Sequence, residues 1–317
     1  MLIKQADDKT KRLKLLEDLQ ASPVLDARQR AWLKDEYWNV KRGIEGERDA
    51  AFHIDSVLRD GRNNAVLHDL RIVVGDDVAQ IDHLIVGRML DIFLVETKCY
   101  AGNVLINEAG EFTVEYESGK RFGIPSPLAQ SQRHARVLAK LLEHLGIGGR
   151  IGTEPKFHHV VMLHPKAIIQ RPDPKRYDTS HVIKADQFPE WRTRWVNDLS
   201  PLAALAGVFN LHGQDTVREW GEKIARQHRP SDLLALPEFM RPRVHAPVAP
   251  APVRVPAPAP AVPAVQVPEN GAEPAKKLIC ARCGARISFA EGKFCWGQSR
   301  RFGGLQYCRE HQAAFPR

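Results

Sequence analysis

The sequence predicts an α/β domain followed by a small, separate cysteine-rich module. Two segments with helical periodicity, residues 45–58 and 127–145, enclose several short segments rich in β-branched and apolar residues. A stretch dominated by proline and alanine, residues 241–275, then separates this domain from the C-terminal module. A chain of 317 residues is long enough for one full-sized core and an additional small module.

Residues 1–42 are predicted to form a helical N-terminal extension. Leu13, Leu16 and Leu19 follow helical spacing, and Pro23 divides the segment into two helical pieces. We expect this extension to pack against the main domain or to form a homodimer. We expect no chemistry there.

The main domain is predicted to span residues 43–240, with its core at residues 43–165. Its first helix carries its apolar residues on one stripe, and a later helix is expected at residues 200–228. Glycine, asparagine and aspartate occupy the breaks between the strands, as is typical of turns. The strands are expected at residues 65–74, 78–86, 91–100, 103–106, 112–116 and 157–164.

The C-terminal part has a different composition. The Pro/Ala-rich segment 241–275 cannot bury a core and favours polyproline II, which predicts a semi-rigid spacer; a proline-rich ligand for a signalling domain is the alternative. The module that follows, residues 276–317, holds nine Lys and Arg residues but only two acidic ones, so most of the formal net charge of +8 lies there. That charge favours an anionic partner such as nucleic acid.

Cysteine usage and hydropathy indicate the compartment. Four of the five cysteines lie in the C-terminal module, which is typical of a metal site in a reducing compartment rather than of a disulfide framework. The N-terminus lacks the apolar core of a signal peptide, and no run of about 18 apolar residues suits a membrane span. We therefore expect a cytoplasmic protein that does not enter a membrane.

Residues 78–100 are predicted to form a β-hairpin with polar residues at its open end. Antiparallel pairing about a turn at residues 87–90 places Asp82 opposite Glu96 and Gln80 opposite Lys98. Because side chains alternate along a strand, these four would share one face. The opposite face would carry Ile81, His83, Ile85, Phe93, Val95 and Thr97.

Two carboxylates facing each other across a ladder repel, so this patch needs positive charge. Lys98 supplies one charge, and a divalent cation such as Mg²⁺ would suit the hard oxygen ligands. Phosphodiester hydrolysis uses such a metal together with a nearby ammonium. The alternative is a surface salt-bridge cluster. However, the apolar runs 84–86 and 92–95 predict strands covered on both faces, where charged side chains without a functional role are costly.

Four motifs occur in a recognisable order along the chain. They are Gly43-x-x-Gly46-Glu47, Ala79-Gln80-Ile81-Asp82-His83-Leu84, Val95-Glu96-Thr97-Lys98-Cys99-Tyr100-Ala101-Gly102 and Ser126-Pro127-Leu128-Ala129-Gln130. Together they resemble the NERD family, the nuclease-related domain of the PD-(D/E)-x-K nuclease superfamily. The resemblance covers roughly residues 43–150 and implies a restriction-endonuclease-like αβββαβ core, with a mixed sheet flanked by helices. Ser126-Pro127 and Cys99-Tyr100 depart from the residues common in the family, but neither change touches an implied ligand.

The resemblance also implies roles for five residues. Asp82 and Glu96 would bind Mg²⁺ or Mn²⁺, and Lys98 would be the catalytic lysine. Glu47, on the first helix, would be an outer metal contact, although an acid in a first helical turn is the alternative. Gln130 would hold substrate or water, the alternative being a solvent-facing side chain.

Other polar residues are predicted to be structural. His83 would point away from Asp82 and find its partners in the core. Cys99 would be a small buried side chain. The histidines of the predicted buried strand are not expected to be metal ligands; they are His158, His159 and His164.

The C-terminal module carries Cys280-x-x-Cys283 and Cys308-x-x-His311, two ligand pairs typical of a closed, structural zinc site. So short a chain builds little core, so the metal would supply folding energy. Cys295 could replace His311 as the fourth ligand. Certain NERD proteins resemble this chain in carrying a small C-terminal zinc ribbon.

The same module is predicted to contact nucleic acid, since basic and aromatic residues alternate there as in surfaces that bind phosphate and stack bases. The alternative is a protein-binding ribbon. The residues concerned are Arg300, Arg301, Arg309, Trp296, Phe302 and Tyr307.

The leading hypothesis is a Mg²⁺-dependent nuclease that hydrolyses DNA phosphodiester bonds, in DNA processing or repair. The second hypothesis is a non-catalytic adaptor that keeps the nuclease fold and binds nucleic acid or protein.

Overall fold

The computed structural model of the protein describes residues 1–148, 154–199, 211–240 and 278–315. The chain forms two units, Met1–Ala246 and Pro247–Arg317. The spacer predicted at residues 241–275 lies outside the described residues, as does the first part of the helix predicted at residues 200–228.

The first unit contains both helices and strands. Its helices are α1 (Thr10–Gln20), α2 (Ala27–Leu58), α3 (Pro127–His144), α4 (Phe188–Asn197) and α5 (Gln214–Ala225), with 3-10 turns at Ala185–Gln187 and Glu238–Met240. Its strands are β1 (Leu2–Lys4), β2 (Asn64–Val74), β3 (Asp77–Gly87), β4 (Asp91–Lys98), β5 (Asn103–Ile106), β6 (Phe112–Glu115), β7 (Arg121–Ile124), β8 (Lys156–Leu163), β9 (Ile169–Gln170) and β10 (Val182–Lys184).

The main sheet is mixed and has the order β1-β2-β3-β4-β8-β10. Strands β2, β3 and β4 form an antiparallel meander, whereas β8 pairs parallel with both β4 and β10. The order α2, β2, β3, β4, α3, β8 is the αβββαβ core that the family resemblance implies, so this prediction is confirmed.

Local sequence explains where the two helices beside the site begin. Asp26 caps α2 through a capping box with Gln29, in which each side chain bonds to the other residue's backbone N–H. Ser126 caps α3 by accepting from the Ala129 N–H, and Pro127 at the first helical position lacks an N–H that would be left without a partner.

Apolar cores form on both faces of the main sheet, as the continuous apolar runs predict. One core lies under α3 and α5 and includes Leu84 and Leu94. The other lies under α2 and α4 and includes Ile54, Ile85 and Phe93. The central strands are therefore buried on both sides, and polar groups in them need partners.

The N-terminal extension differs from the prediction. Residues Leu2–Lys4 form an edge strand parallel to β2 instead of a helix, so the helical prediction is wrong there. Helix α2 runs without a break through residues 42 and 43, the predicted boundary with the main domain. The sequence did not indicate β1 because a three-residue strand has too few side chains to show a period. It did not show that the helix continues past residue 42, although apolar residues of α2 are buried from Leu33 to Ile54.

A second sheet has the order β7-β6-β5-β9. Strands β5, β6 and β7 lie between β4 and β8 in the sequence, whereas β9 follows β8. Strands β5 and β6 were predicted, whereas β7, β9 and β10 were not, because they are short and lack a clear alternating pattern. No helix of the described residues is long and apolar enough to cross a membrane.

The second unit is small and has short elements. It contains α6 (Phe289–Gly297), α7 (Ser299–Phe302) and α8 (Arg309–Gln312), and a single β-bridge joins Ile279 to Arg286. Its buried apolar residues are few: Cys280, Ile287, Cys295 and Phe302.

Candidate active site

The predicted hairpin forms with the predicted register over part of its length. Strand β3 pairs with β4 from Val86–Ile92 to His83–Val95, and the ladder ends there. Beyond that point the Asp82 carboxylate takes a backbone position: its Oδ2 accepts from the Thr97 N–H at 2.8 Å. Asp82 therefore stays beside the end of β4.

The ladder between β3 and β4 ends before the predicted pairs Asp82–Glu96 and Gln80–Lys98, so the prediction of these two backbone pairs is wrong. On its other side, Gln80 pairs with Arg71 of β2, and its Nε2 donates to Asp69 Oδ1. Side-chain alternation in β3 changes near Asp82, and Asp69, on the neighbouring strand, has a φ of 52°.

The change in alternation also corrects the predicted faces of β3. Ile81 packs in the same core as Leu84, on the α3 side of the sheet, while Ile85 packs on the α2 side. The prediction that Ile81 shares a face with Ile85 is therefore wrong. A local irregularity of this kind is common next to functional sites, where it redirects a side chain.

Lys98 connects the central residues of the site. Its Nζ donates to Glu96 Oε1 at 2.7 Å and to Gln130 Oε1 at 3.2 Å. Glu96 is 3% exposed, while Lys98 and Gln130 are partly buried. Helix α3 and strand β4 thus bring together three residues that the sequence analysis selected. Gln130 contacts Lys98 and is not simply a solvent-facing side chain.

Glu47 reaches the site because α2 approaches the end of β4 closely. A Cβ atom at Gly46 would lie 3.0 Å from the Cβ of Cys99, so only glycine permits this distance without a shift. Glu47 follows directly on the helix, and its Oε2 accepts from Lys9 Nζ at 2.7 Å. Cys99 is partly buried against this helix.

The carboxylates of the site are short of positive charge. Burial and the negative charges of Glu96 and Glu47 raise the pKa of Asp82 well above its usual range. Burial also raises the pKa of Glu96, and Lys98 offsets this only in part. The donors that Asp82 and Glu96 offer are hard carboxylate oxygens, the donor type that hard divalent cations prefer, in a place that positive charge would stabilise.

Two residues of the site come from the N-terminal segment and from β2, and sequence analysis missed both. Lys9 Nζ lies 2.7 Å from Glu47 Oε2 and 3.4 Å from Asp69 Oδ1. Asp69 Oδ2 also accepts from the Asp7 N–H. No motif or periodicity links Lys9 to residues so far along the chain, so the sequence carries no signal for this contact.

His134 is a further residue that sequence analysis missed. Its Nδ1 lies 3.8 Å from Glu96 Oε2. Burial and the positive charges of Arg133 and Lys98 lower the pKa of His134 to about 4, so the ring is neutral at pH 7. Its position one helical turn after Gln130 was a usable signal, because residues four apart share a helix face.

The predicted structural histidines have partners in the fold. His83 is buried, with Nδ1 2.8 Å from His68 Nδ1 and Nε2 3.1 Å from Thr97 Oγ1, so its structural role is confirmed. The other three histidines also have nearby partners: in β8, His158 with Asp91 and His159 with Ser131, and directly after β8, His164 with the Lys166 N–H.

Residues 42–164 match the family model of the nuclease-related domain, NERD. This part of the chain is a NERD domain. The match begins within α2, ends at β8 and contains all five residues selected for the site: Glu47, Asp82, Glu96, Lys98 and Gln130. No curated protein and no solved structure matches the chain. Lys9 lies outside the NERD domain, although it contacts Glu47 within it.

The second unit brings the predicted zinc ligands together. The ligand atoms of Cys280, Cys283, Cys308 and His311 all lie within 4.8 Å of one another. The Cys283 and Cys308 sulfurs are 3.9 Å apart, and the Cys280 sulfur is 3.6 Å from His311 Nδ1. Ligand atoms on a tetrahedron with Zn–S bonds of about 2.3 Å are separated by about 3.8 Å, so this set fits a zinc ion.

The chemistry of this cluster also suits zinc. Although burial acts in the opposite direction, hydrogen bonds from the backbone N–H groups of Cys308 and Cys283 lower the pKa of Cys280 to about 5. A thiolate is the form that binds metal. Within the described ranges, no other three His, Cys, Asp or Glu side chains converge as ligands in this way.

Cys295 lies outside this cluster. It is fully buried, and its sulfur accepts from the Tyr307 N–H at 3.4 Å and from Gln312 Nε2 at 3.3 Å. Of the two alternatives for the fourth ligand, the geometry therefore favours His311.

Not all of the residues predicted to form the nucleic-acid-binding surface are exposed. Phe302 is 1% exposed, and Arg301 lies over its ring while donating to the Phe315 carbonyl at 2.7 Å. Phe302 therefore stabilises the unit itself, and its assignment to a stacking surface is wrong. Trp296, which was predicted for the same surface, is exposed on α6, as are Phe289 and Phe294.

Proposed function

We propose that this protein is a Mg²⁺-dependent nuclease that hydrolyses DNA phosphodiester bonds, in DNA processing or repair. The observation that carries the proposal is the position of Lys98, whose ammonium bonds to both Glu96 and Gln130 next to Asp82. The match of residues 42–164 to the nuclease-related domain supports the same chemistry.

Asp82 and Glu96 would hold the Mg²⁺ or Mn²⁺ ion. When bound, such an ion polarises the phosphate and lowers the pKa of a bound water. Glu47 on α2 would be an outer contact of the ion, with its charge largely balanced by Lys9. The crowded carboxylates favour a cation here because Glu96 and Glu47 raise the pKa of Asp82, and Glu47 also raises the pKa of Glu96.

Lys98 would orient the attacking water or stabilise the negative charge that develops on the phosphate. An ammonium fixed by two acceptors needs little reorganisation during the reaction, and such preorganised charge is the usual source of rate enhancement. Gln130 would keep Lys98 in place and bind substrate or water through its amide. Because His134 is neutral near Glu96, the charge of this carboxylate is balanced mainly by Lys98, with a smaller contribution from Arg133.

The C-terminal module would bind nucleic acid, with zinc held by Cys280, Cys283, Cys308 and His311. A site with four protein ligands is closed, so this zinc is structural. Exposed aromatic residues on α6 together with the basic composition of residues 276–317 suit stacking and phosphate contact. The Pro/Ala-rich segment would connect this module to the NERD domain.

Two further expectations belong to the proposal. Reduced thiols at the zinc cluster suit the cytoplasm. A homodimer would have to use the exposed side of the N-terminal helices, for example Trp38, because Leu16 and Leu33 are already buried within the chain. The division into residues 1–42, 43–240, 241–275 and 276–317 stays a prediction.

The test is cleavage of a panel of end-labelled single-stranded, double-stranded and branched DNAs with Mg²⁺ or Mn²⁺. We expect cleavage of at least one substrate, and loss of that cleavage in Glu96→Ala and Lys98→Ala. Glu143→Ala, an exposed acid on α3, is the matched control and should cut normally. Binding without cleavage in every case would reject the nuclease and support the non-catalytic adaptor.

A further inference from the structure

Lys9 is a charged side chain inside the acidic site that the proposed function does not use. It precedes α1, and only about a fifth of its side chain is exposed (22%). Its ammonium lies between two carboxylates, 2.7 Å from Glu47 and 3.4 Å from Asp69. The lysine is thus placed where a metal ion would otherwise balance the same charges.

The segment that carries Lys9 is fixed to β2 by several contacts. Lys4 Nζ donates to the carbonyl oxygens of His68 at 3.1 Å and Asp69 at 2.9 Å. The Asp7 N–H donates to Asp69 Oδ2 at 3.2 Å, and the Asp7 carboxylate lies 2.8 Å from His228 Nε2. Lys9 is therefore a built part of the site and not a surface lysine that happens to lie near it.

The acids of the site consequently form two groups, each with its own lysine. Glu96 is paired with Lys98, next to Asp82. Glu47 and Asp69 are paired with Lys9. Among the described residues these acids do not form a converging set of three ligands, which the Cys/His cluster does form.

We infer that Lys9 is a positioning residue that acts as a built-in cation. It holds Glu47 and Asp69 in ion pairs, so that a single divalent ion binds, at Asp82 and Glu96. This inference rests on the proposed function for the assignment of Asp82 and Glu96 as the metal pair. An ammonium near a dication opposes its binding, and removing the ammonium also leaves Glu47 and Asp69 without this counter-charge. The chain without Lys9 therefore has the negative charge to attract a second ion.

The test counts Mn²⁺ ions on the zinc-loaded, full-length chain by calorimetric titration and by the electron paramagnetic resonance signal of free Mn²⁺. The wild type and Lys9→Arg, which keeps the charge, are expected to bind one Mn²⁺. Lys9→Met is expected to bind two, or to bind one about tenfold more tightly because a repelling charge is gone. Lys11→Met removes an equal charge from an exposed position two residues away and should behave like the wild type.

A second variant keeps the inference testable if Lys9→Met does not fold. Glu47→Gln should change the Mn²⁺ affinity of the wild type less than about threefold, since Lys9 already neutralises this acid, whereas Glu96→Gln should weaken it more than about tenfold. In the Lys9→Met background, Glu47→Gln should remove the second ion.

The inference is overturned if Lys9→Met binds Mn²⁺ like Lys11→Met, if Glu47→Gln weakens binding as much as Glu96→Gln, or if the wild type binds no Mn²⁺ or two ions. Ion counting does not require cleavage, so the two proposals fail separately. A chain that cuts no DNA but gives the expected counts rejects the nuclease alone. A chain that cuts DNA while Lys9→Met is unchanged rejects only the role of Lys9.

Discussion

The ammonium of Lys98 lies 2.7 Å from the carboxylate of Glu96, two positions earlier on the same strand, and 3.2 Å from the amide oxygen of Gln130 on α3. Residues two apart on a strand point to the same side, so β4 itself aligns this pair. Gln130 on helix α3 holds the lysine through the second contact.

Replacement of Lys98 by Met should lower the rate of DNA cleavage about 10²–10³-fold, the usual effect of removing one preorganised group that stabilises charge. Single-turnover cleavage with saturating protein measures the chemical step. Gln130→Leu should give a smaller loss, because Lys98 keeps its contact with Glu96. Equal rates in Lys98→Met and the wild type would contradict a catalytic role for this lysine.

Asp82→Asn should raise the melting temperature of the metal-free chain at pH 7. The pKa of Asp82 is higher in the folded chain than in an unfolded one, so its ionisation costs stability above the folded pKa. The cost disappears as the pH falls below the ordinary aspartate pKa of about 3.9, so the two melting temperatures should converge there.

Addition of Mg²⁺ should reverse the order of these melting temperatures, because an ion bound by the folded chain stabilises the wild type more than Asp82→Asn. Thermal unfolding followed by circular dichroism, with and without Mg²⁺, measures both effects. A metal-free Asp82→Asn chain that melts below the wild type at pH 7 would show that this carboxylate is not under electrostatic stress.

Gly46→Ala should destabilise the chain by about 1–3 kcal/mol, since its Cβ would meet the Cβ of Cys99 at 3.0 Å and small-to-large changes in tight packing cost this much. It should also impair cleavage, because α2 carries Glu47. Gly43→Ala, three residues earlier, has space and should stabilise α2 by up to about 1 kcal/mol. Urea unfolding compares the two, and equal effects would contradict the close approach of α2 to β4.

Cys308→Ser should remove zinc from the chain, whereas Cys295→Ser should retain it. Cys308 belongs to the converging ligand set, while the buried sulfur of Cys295 accepts from Tyr307 and Gln312. Elemental analysis of the purified variants gives the zinc content. Loss of zinc in Cys295→Ser and retention in Cys308→Ser would reverse the assignment of ligands.

The sequence predicted those parts of the fold that rest on local patterns. The αβββαβ order followed from periodicity and family motifs, and the hairpin register over His83–Val86 followed from the turn position. The ligand set at Cys280 and His311 followed from spacing. In each case the determining residues lie close together in the chain or belong to a known motif.

The rest depends on contacts between distant segments or on irregular backbone. Periodicity assumes regular alternation, so it could not foresee that β3 changes its faces at Asp82. Lys9 reaches Glu47 only after β1 has paired with β2, which no local pattern encodes. Phe302 was assigned to a binding surface because composition does not distinguish exposed aromatic residues from those of a small core.

The central claim is that Asp82, Glu96 and Lys98 form a metal-dependent nuclease site. The most direct measurement is the rate at which the wild type and Glu96→Gln, which has nearly the same shape, cleave an end-labelled DNA with Mg²⁺ and with EDTA. The account predicts cleavage by the wild type with Mg²⁺ only, and a loss of at least about 10²-fold in Glu96→Gln. Cleavage that persists in EDTA, or that is equal in Glu96→Gln, would contradict it.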